Sequence, residues 1–192
     1  MILKRAFPLF AAFLAVPAVA LAAVASNPAT NRAGRTDVGF NVAGVFSDEN
    51  DLDDSVFLTG SVAHGLNEWL ALGFEVGWAE RNLSDDDLTA IPLLVDLIVR
   101  VPNESAVVPY GVGGVGAIVW DVEDDDLDDL EDIDASFAAK LGGGIDWFLN
   151  ERWIVNVEAA YVFTDEDIEI TSGSRSVELD YWTVGGGLKY LF

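Results

Sequence analysis

The 192-residue sequence contains no cysteine, and only ten lysine and arginine residues stand against 33 aspartate and glutamate residues. The formal net charge of −23 excludes nucleic acid as a partner, because both molecules would be strongly negative. Beyond residue 22 the chain also lacks an uninterrupted apolar run of about 18 residues, which excludes a membrane-spanning helix there. Disulfide bonds are excluded as well, so an exported form of this chain would need another source of stability.

The N-terminus has the layout of a secretory signal peptide. Lys4 and Arg5 form a basic start, residues 6–19 are apolar, and residues 20–22 (Ala-Leu-Ala) offer a cleavage site between small side chains. A membrane anchor is the alternative, but the apolar run is short and small residues follow it. We therefore predict a signal peptide over residues 1–22.

The remainder of the chain combines a positive mean hydropathy of +0.30 with a pI of about 4.1. The two values are compatible if apolar and acidic residues are segregated in space. Apolar side chains recur at every second position from Asp37 onward, which is the period of a strand with one apolar face. Eight strands are predicted, over residues 37–46, 56–65, 70–78, 89–101, 108–120, 137–149, 153–163 and 182–192.

Short turns and longer loops alternate between these strands. The turns contain Asn-Glu at 67–68, 103–104 and 150–151, and the loops are about nine to fourteen residues long. This alternation predicts an all-β fold, an eight-stranded antiparallel up-and-down transmembrane barrel over residues 36–192. Residues 23–35 become a periplasmic lead-in.

A soluble barrel with an apolar interior is the rival interpretation. The polar face argues against it, because glycine, alanine and a few charges suit a narrow lumen better than a solvated exterior. Aromatic residues also fall at both ends of the strands, as in a bilayer interface. They are Trp78, Trp120, Phe137, Phe163 and Trp182 at the loop ends, and Tyr110, Trp147, Trp153, Tyr190 and Phe192 at the turn ends. In the fifth strand, the predicted outward face holds Val108, Tyr110, Val112, Ile118 and Trp120, opposite Gly111, Gly113 and Ala117.

The last strand ends in a glycine followed by two aromatic residues in alternation, Gly187, Tyr190 and Phe192. In this motif the sequence resembles the small eight-stranded outer-membrane β-barrels typified by OmpX and the OmpA transmembrane domain. The resemblance implies residence in the cell outer membrane, contact with its lipid, and recognition of these three residues by the barrel assembly machinery. Gly185 departs from the polar residue that the family usually has two places before the glycine.

Seven charged residues fall on the predicted inward faces: Glu75, Asp96, Arg100, Lys140, Asp146, Glu158 and Lys189. Charges in a narrow lumen must be paired or hydrated, so we expect Glu75 and Glu158 to pair with lumen cations. A packed polar plug is favoured over a gated pore, because eight strands leave little open lumen.

Twenty-two of the 33 carboxylates lie in the four loops at one end of the barrel. They would capture cations or a basic partner, or would form a hydrated surface suited to high salt. The third loop lacks the spacing of a calcium-binding loop, so no metal site and no cofactor are predicted. His64, the only histidine, has no recognisable serine motif beside it, so no catalytic residue is predicted.

The leading prediction is a monomeric, non-enzymatic surface protein with acidic extracellular loops that serves envelope integrity or surface interaction. A narrow porin-like pore for small cationic solutes is the first alternative. A lipid-modifying barrel enzyme is the second.

Overall fold

The computed structural model describes residues 31–46, 55–83, 86–122, 135–164 and 180–192. Within these ranges no helix is long and apolar enough to cross a membrane. The eight strands are β1 Thr36–Phe46, β2 Ser55–Gly65, β3 Leu70–Leu83, β4 Asp86–Arg100, β5 Val107–Val122, β6 Ala135–Phe148, β7 Trp153–Thr164 and β8 Tyr181–Leu191. The predicted signal peptide and most of the acidic loop residues lie outside the described residues.

The strands form one closed barrel in which each strand pairs antiparallel with its sequence neighbour, and β8 pairs with β1. This confirms the predicted up-and-down topology. Thr36 of β1 pairs with a residue of β2, which pairs with a residue of β3, and so on around the barrel. This series of partners returns to β1 at Phe46, ten residues beyond Thr36. A stagger of this size in an eight-stranded barrel tilts the strands by about 40° from the axis and sets a radius of about 8 Å.

The apolar side chains of most strands face outward. In β3, Leu72, Phe74 and Val76 are exposed, whereas the alternating Ala71 and Glu75 are buried. Along β7, Trp153 and Phe163 mark the two ends of the outward face and lie ten residues apart. With the tilt given above, this separation corresponds to about 25 Å along the barrel axis, the height of the apolar band of a membrane barrel.

The fifth strand has the opposite orientation to the one predicted. Val108, Tyr110 and Ile118 are buried inside the barrel, with exposed fractions of 3%, 6% and 0%, whereas Val107 and Val115 face outward. The predicted place of Tyr110 in the outer aromatic belt is therefore wrong. Valines occur on both faces of β5, so alternation alone leaves the phase of this strand undecided. Gly142 and Gly144 on β6 lie opposite Val112 and Tyr110, and they leave room inside the barrel for these larger side chains of β5.

The second loop is much shorter than predicted. β3 continues to Leu83 and β4 begins at Asp86, so that Asp86 and Asp87 belong to a strand and only residues 84–85 connect the two. β5 likewise continues through Asp121 to Val122. The hairpins on this side of the barrel thus carry part of the acidic sequence on strands.

The recurring Asn-Glu turns share one structural device. The side-chain oxygen of Asn67 accepts hydrogen bonds from the backbone N–H groups of Trp69 and Leu70, both at 2.8 Å. Asn150 accepts two bonds in the same way from Arg152 and Trp153, both at 2.9 Å. These side chains satisfy backbone donors that would otherwise be unpaired at the tight turn, which explains the recurrence of asparagine.

Candidate functional site

The interior of the barrel is built from four layers, which β6 crosses in order. From the turn end to the loop end, its inward side chains Phe148, Asp146, Lys140 and Ala138 belong in turn to an apolar, a charged, a second charged and a second apolar layer. The barrel therefore places its charges between two apolar layers. All seven inward charges predicted from the sequence lie in the two charged layers.

The layers nearer the loop end are called upper and those nearer the turn end lower. The upper charged layer consists of Glu75, Asp96, Lys140 and Glu158. The Lys140 Nζ lies 3.0 Å from Glu75 Oε2, 3.0 Å from Asp96 Oδ2 and 3.8 Å from Glu158 Oε1. Glu158 Oε2 accepts a 2.8 Å hydrogen bond from the hydroxyl of Tyr110. One cation thus holds three carboxylates at mid-height, and the layer carries an excess of negative charge.

The lower charged layer consists of Arg32, Asp37, Arg100, Asp146 and Lys189. Asp146 is 1% exposed and lies at its centre, with Lys189 Nζ 3.0 Å from Oδ1 and Arg32 NH1 2.6 Å from Oδ2. Asp37 Oδ2 completes the layer, 3.2 Å from Arg32 and 3.5 Å from Arg100. Three cations here face two carboxylates, so the two charged layers have opposite excess charge.

Arg32 and Asp37 are the members of this layer that the inward-charge prediction omitted. Arg32 precedes β1, in the segment predicted as a lead-in, yet its side chain is buried in the lumen and its guanidinium lies 5.5 Å from the ring centroid of Phe148. Gly34, with a φ of 71°, turns the chain back, and its N–H donates to the carbonyl of Gly65 at 2.8 Å. An arginine two residues before a glycine at a strand start was the available signal, but strand periodicity does not extend to residues outside a strand.

The apolar layers close the lumen above and below the charges. The lower apolar layer consists of Val108, Phe148, Ile154 and Leu191. The upper apolar layer consists of Val45, Phe57, Ala79, Ala90, Leu94, Ile118, Ala138, Val162 and Tyr181. A hydrated ion crossing the barrel would have to shed water against both layers, which is unfavourable for any charged solute.

A small cavity lies between the upper charged layer and the upper apolar layer, whose Phe57, Leu94, Val162 and Tyr181 form part of its lining. Its volume is about 30 Å³, room for about two water molecules, and its polar lining includes Asn41, Thr59, Glu75, Lys140 and Glu158. In the described ranges no group of three or more histidine or carboxylate side chains is arranged to hold a metal ion. The arrangement can hydrate and pair charges.

Glycines make room for the large inward side chains. Gly144 is the direct cross-strand partner of Tyr110, and a Cβ atom at Gly144 would lie 2.6 Å from the tyrosine hydroxyl oxygen. Gly39 is the partner of Lys189, whose aliphatic stem would meet such an atom at 3.1 Å. The glycines of the polar face therefore act as recesses for the charged network.

The predicted assembly signal lies at the seam between β8 and β1. Gly187 pairs with Asn41 of β1, and Tyr190 packs edge-to-face on Trp153 and on Phe192, with ring centroids 4.9 and 4.8 Å apart. The rings of Tyr190 and Phe192 belong to the aromatic belt at the turn end. Recognition of these residues by the assembly machinery stays a prediction.

His64 lies on the outer face at the turn end of β2, as its phase predicted. Its Nδ1 is 3.0 Å from the hydroxyl of Thr36, an exposed pair with no carboxylate hydrogen-bonded to it among the described residues. A histidine without an orienting acid is poorly arranged for nucleophilic catalysis.

A closed eight-stranded barrel with an apolar exterior, aromatic ends and an ion-paired interior is a transmembrane β-barrel. Residues 9–192 match the family model of the outer membrane protein beta-barrel domain, and the chain belongs to this family. The protein therefore resides in the cell outer membrane. In this architecture the short turns face the periplasm and the longer loops face the outside.

Several solved structures share the fold. Neisserial surface protein A is 13% identical, with a TM-score of 0.60 over 82% of this chain and 96% of that structure. OprG from Pseudomonas aeruginosa is 18% identical, with a TM-score of 0.60 over 84% and 97%. Ail of Yersinia pestis in complex with the heparin analogue sucrose octasulfate is 15% identical, with a TM-score of 0.54 over 83% and 99%. At these identities the likeness shows the fold alone, and no curated protein matches the chain significantly.

Proposed function

We propose that the protein is a non-enzymatic outer-membrane surface protein whose acidic extracellular loops contact cations or a basic partner. The observation that carries this proposal is the closed lumen, in which two apolar layers enclose two ion-paired layers. A barrel filled in this way serves as a rigid support, so its interactions fall to the loops. The exposed position of His64 beside Thr36 supports a non-enzymatic role.

The charge of the loops supports the kind of partner. The connection between β5 and β6, residues 123–134, holds nine carboxylates and no lysine or arginine. The Ail structure contains a sulfated heparin analogue, which is a polyanion. Loops as acidic as these repel polyanions and attract cations and basic surfaces. The same charge keeps the surface hydrated, which suits a role in envelope integrity.

Replacing residues 123–134 with a neutral glycine-serine linker tests the surface role. We expect cells that display this variant to bind a fluorescent polylysine probe severalfold less than wild type, because the dense negative charge is gone. A scrambled loop with the same composition is the matched control and is expected to retain binding. Added salt should weaken binding to both the wild-type and the scrambled loop. Equal binding by the neutral and wild-type loops contradicts the proposal.

A narrow pore for small cations is the second candidate. It is favoured by the excess of carboxylates around Lys140 and by the adjacent cavity. The two apolar layers oppose it, so we expect no stable unitary currents from the purified protein in planar bilayers. A larger porin inserted under the same conditions shows that the assay detects channels. Reproducible cation-selective steps would favour the pore instead.

A further inference from the structure

The basic side chains of the barrel are divided between the lumen and one outer corner. Among the side chains that the structure describes, Arg32, Arg100, Lys140 and Lys189 lie inside the barrel, and only Arg35 and Arg152 lie outside. Both lie at the periplasmic end, where the half-buried Arg35 contacts Phe192 and the exposed Arg152 contacts Tyr190. In so acidic a protein, this corner is an unusual concentration of accessible positive charge.

The two guanidinium groups are held in place by neighbouring oxygens. Arg35 donates from Nε to the main-chain oxygen of Phe192 at 3.1 Å and from NH2 to the carbonyl of Glu151 at 3.2 Å. Arg152 donates from NH1 to the hydroxyl of Tyr190 at 3.3 Å. We call Arg35, Arg152, Trp153, Tyr190 and Phe192 the seam corner.

Most of the donors of the seam corner remain available. A guanidinium has five N–H donors, so the bonds above leave three on Arg35 and four on Arg152. The carboxylate of Glu151 is exposed, and within the described part of the chain it forms no ion pair with either arginine within 4.0 Å. The two guanidinium groups are thus held in place by main-chain and hydroxyl oxygens, without a carboxylate side chain as partner.

The surroundings of these donors indicate the ligand. Trp153, Tyr190 and Phe192 stack edge-to-face beside the arginines and belong to the outward aromatic belt, so the corner opens onto the bilayer interface. Guanidinium groups bind phosphate through paired charge-assisted hydrogen bonds. The rings offer an apolar wall to the upper part of an acyl chain.

We propose that the seam corner binds the phosphate of an anionic phospholipid in the periplasmic leaflet of the outer membrane. The lipid is favoured over free phosphate because the donors lie at the membrane interface next to an apolar aromatic wall. The bound lipid would contact residues from the N-terminal segment, from the turn before β7 and from β8, and so would bridge the seam at which the barrel closes.

Lipid retention tests the proposal. The folded protein is reconstituted in nanodiscs of phosphatidylcholine with a minor fraction of phosphatidylglycerol, and native mass spectrometry counts the lipids that stay bound. We expect wild type to retain phosphatidylglycerol in excess of its share, by about fivefold per guanidinium, which corresponds to about 1 kcal/mol each. Arg35→Gln with Arg152→Gln should abolish the excess.

Two controls keep the outcome interpretable. Arg152→Gln alone removes a single side-chain hydrogen bond and is expected to fold. Its phosphatidylglycerol excess should fall to the roughly fivefold expected for the one guanidinium that remains. Arg81→Gln, near the loop end of β3, makes the same change of charge at the opposite rim and should leave retention unaltered. The proposal is overturned if the double variant keeps the excess, if Arg81→Gln loses as much, or if inorganic phosphate displaces the lipid.

Discussion

Replacing Lys140 with methionine is expected to lower the free energy of unfolding by about 3–5 kcal/mol. Among the described residues, Lys140 is the only cation within salt-bridge distance of Glu75, Asp96 and Glu158 in the upper charged layer. Methionine fills a similar volume, so the change isolates the lost charge from a cavity effect. Three carboxylates would remain in the barrel interior without a partner cation, and at least two of them are nearly fully buried. Urea titration of tryptophan fluorescence in phospholipid vesicles measures the change.

The lower charged layer supplies the matched control for Lys140→Met. Lys189→Met also removes a buried ammonium group, but Asp146 keeps its 2.6 Å contact with Arg32. This variant should therefore cost only about 1–2 kcal/mol. Adding Glu75→Gln and Asp96→Asn to Lys140→Met should restore part of the stability, because two of the unpaired carboxylate charges are removed. Equal costs for Lys140→Met and Lys189→Met would contradict the role assigned to the upper layer.

The alternation of apolar residues predicted most of the fold, because the exterior of a membrane barrel must be apolar at every second residue of each strand. β3, β6, β7 and β8 have the predicted orientation for this reason. β5 does not, since its inward face is also apolar. Its buried Val108 and Ile118 belong to the two apolar layers, and nothing in alternation separates a residue that faces lipid from one that closes a lumen.

The ion-pair partners within the charged layers could not be predicted from the sequence, for a different reason. The alternation of side chains along a strand places Asp96 and Lys140 in the lumen. Their contact joins residues 44 positions apart in the sequence, and it depends on the registers of β4 with β5 and of β5 with β6. Those registers follow from the stagger of the whole barrel, in which every hairpin contributes. Glu75 and Glu158, both expected to pair with lumen cations, lie 3.0 and 3.8 Å from Lys140, and Glu158 also accepts a hydrogen bond from Tyr110.

The glycines of β5 and β6 have different roles on the two faces of the sheet, and substitution should separate them. Gly144→Val is expected to cost about 2–4 kcal/mol, because a Cβ atom there would clash with the backbone carbonyl of Val157 and with the Tyr110 ring, and would break the 2.8 Å hydrogen bond from Tyr110 to Glu158. The same urea titration in vesicles measures the loss. Tyr110→Phe, which keeps the ring and removes only the hydroxyl, should account for about 1 kcal/mol of it.

Gly113→Val is the matched control on the lipid face. A Cβ atom at Gly113 would meet nothing nearer than Leu141 Cδ1 at 3.9 Å, and valine favours the strand conformation. Its effect should stay within about 0.5 kcal/mol of wild type, or be slightly stabilising. If both valines cost the same, the penalty would reflect glycine in strands generally. A penalty confined to Gly144 would show that the inward face of β6 needs a residue without a Cβ atom opposite Tyr110, whose ring also lies 4.8 Å from Lys189 Nζ in the lower layer.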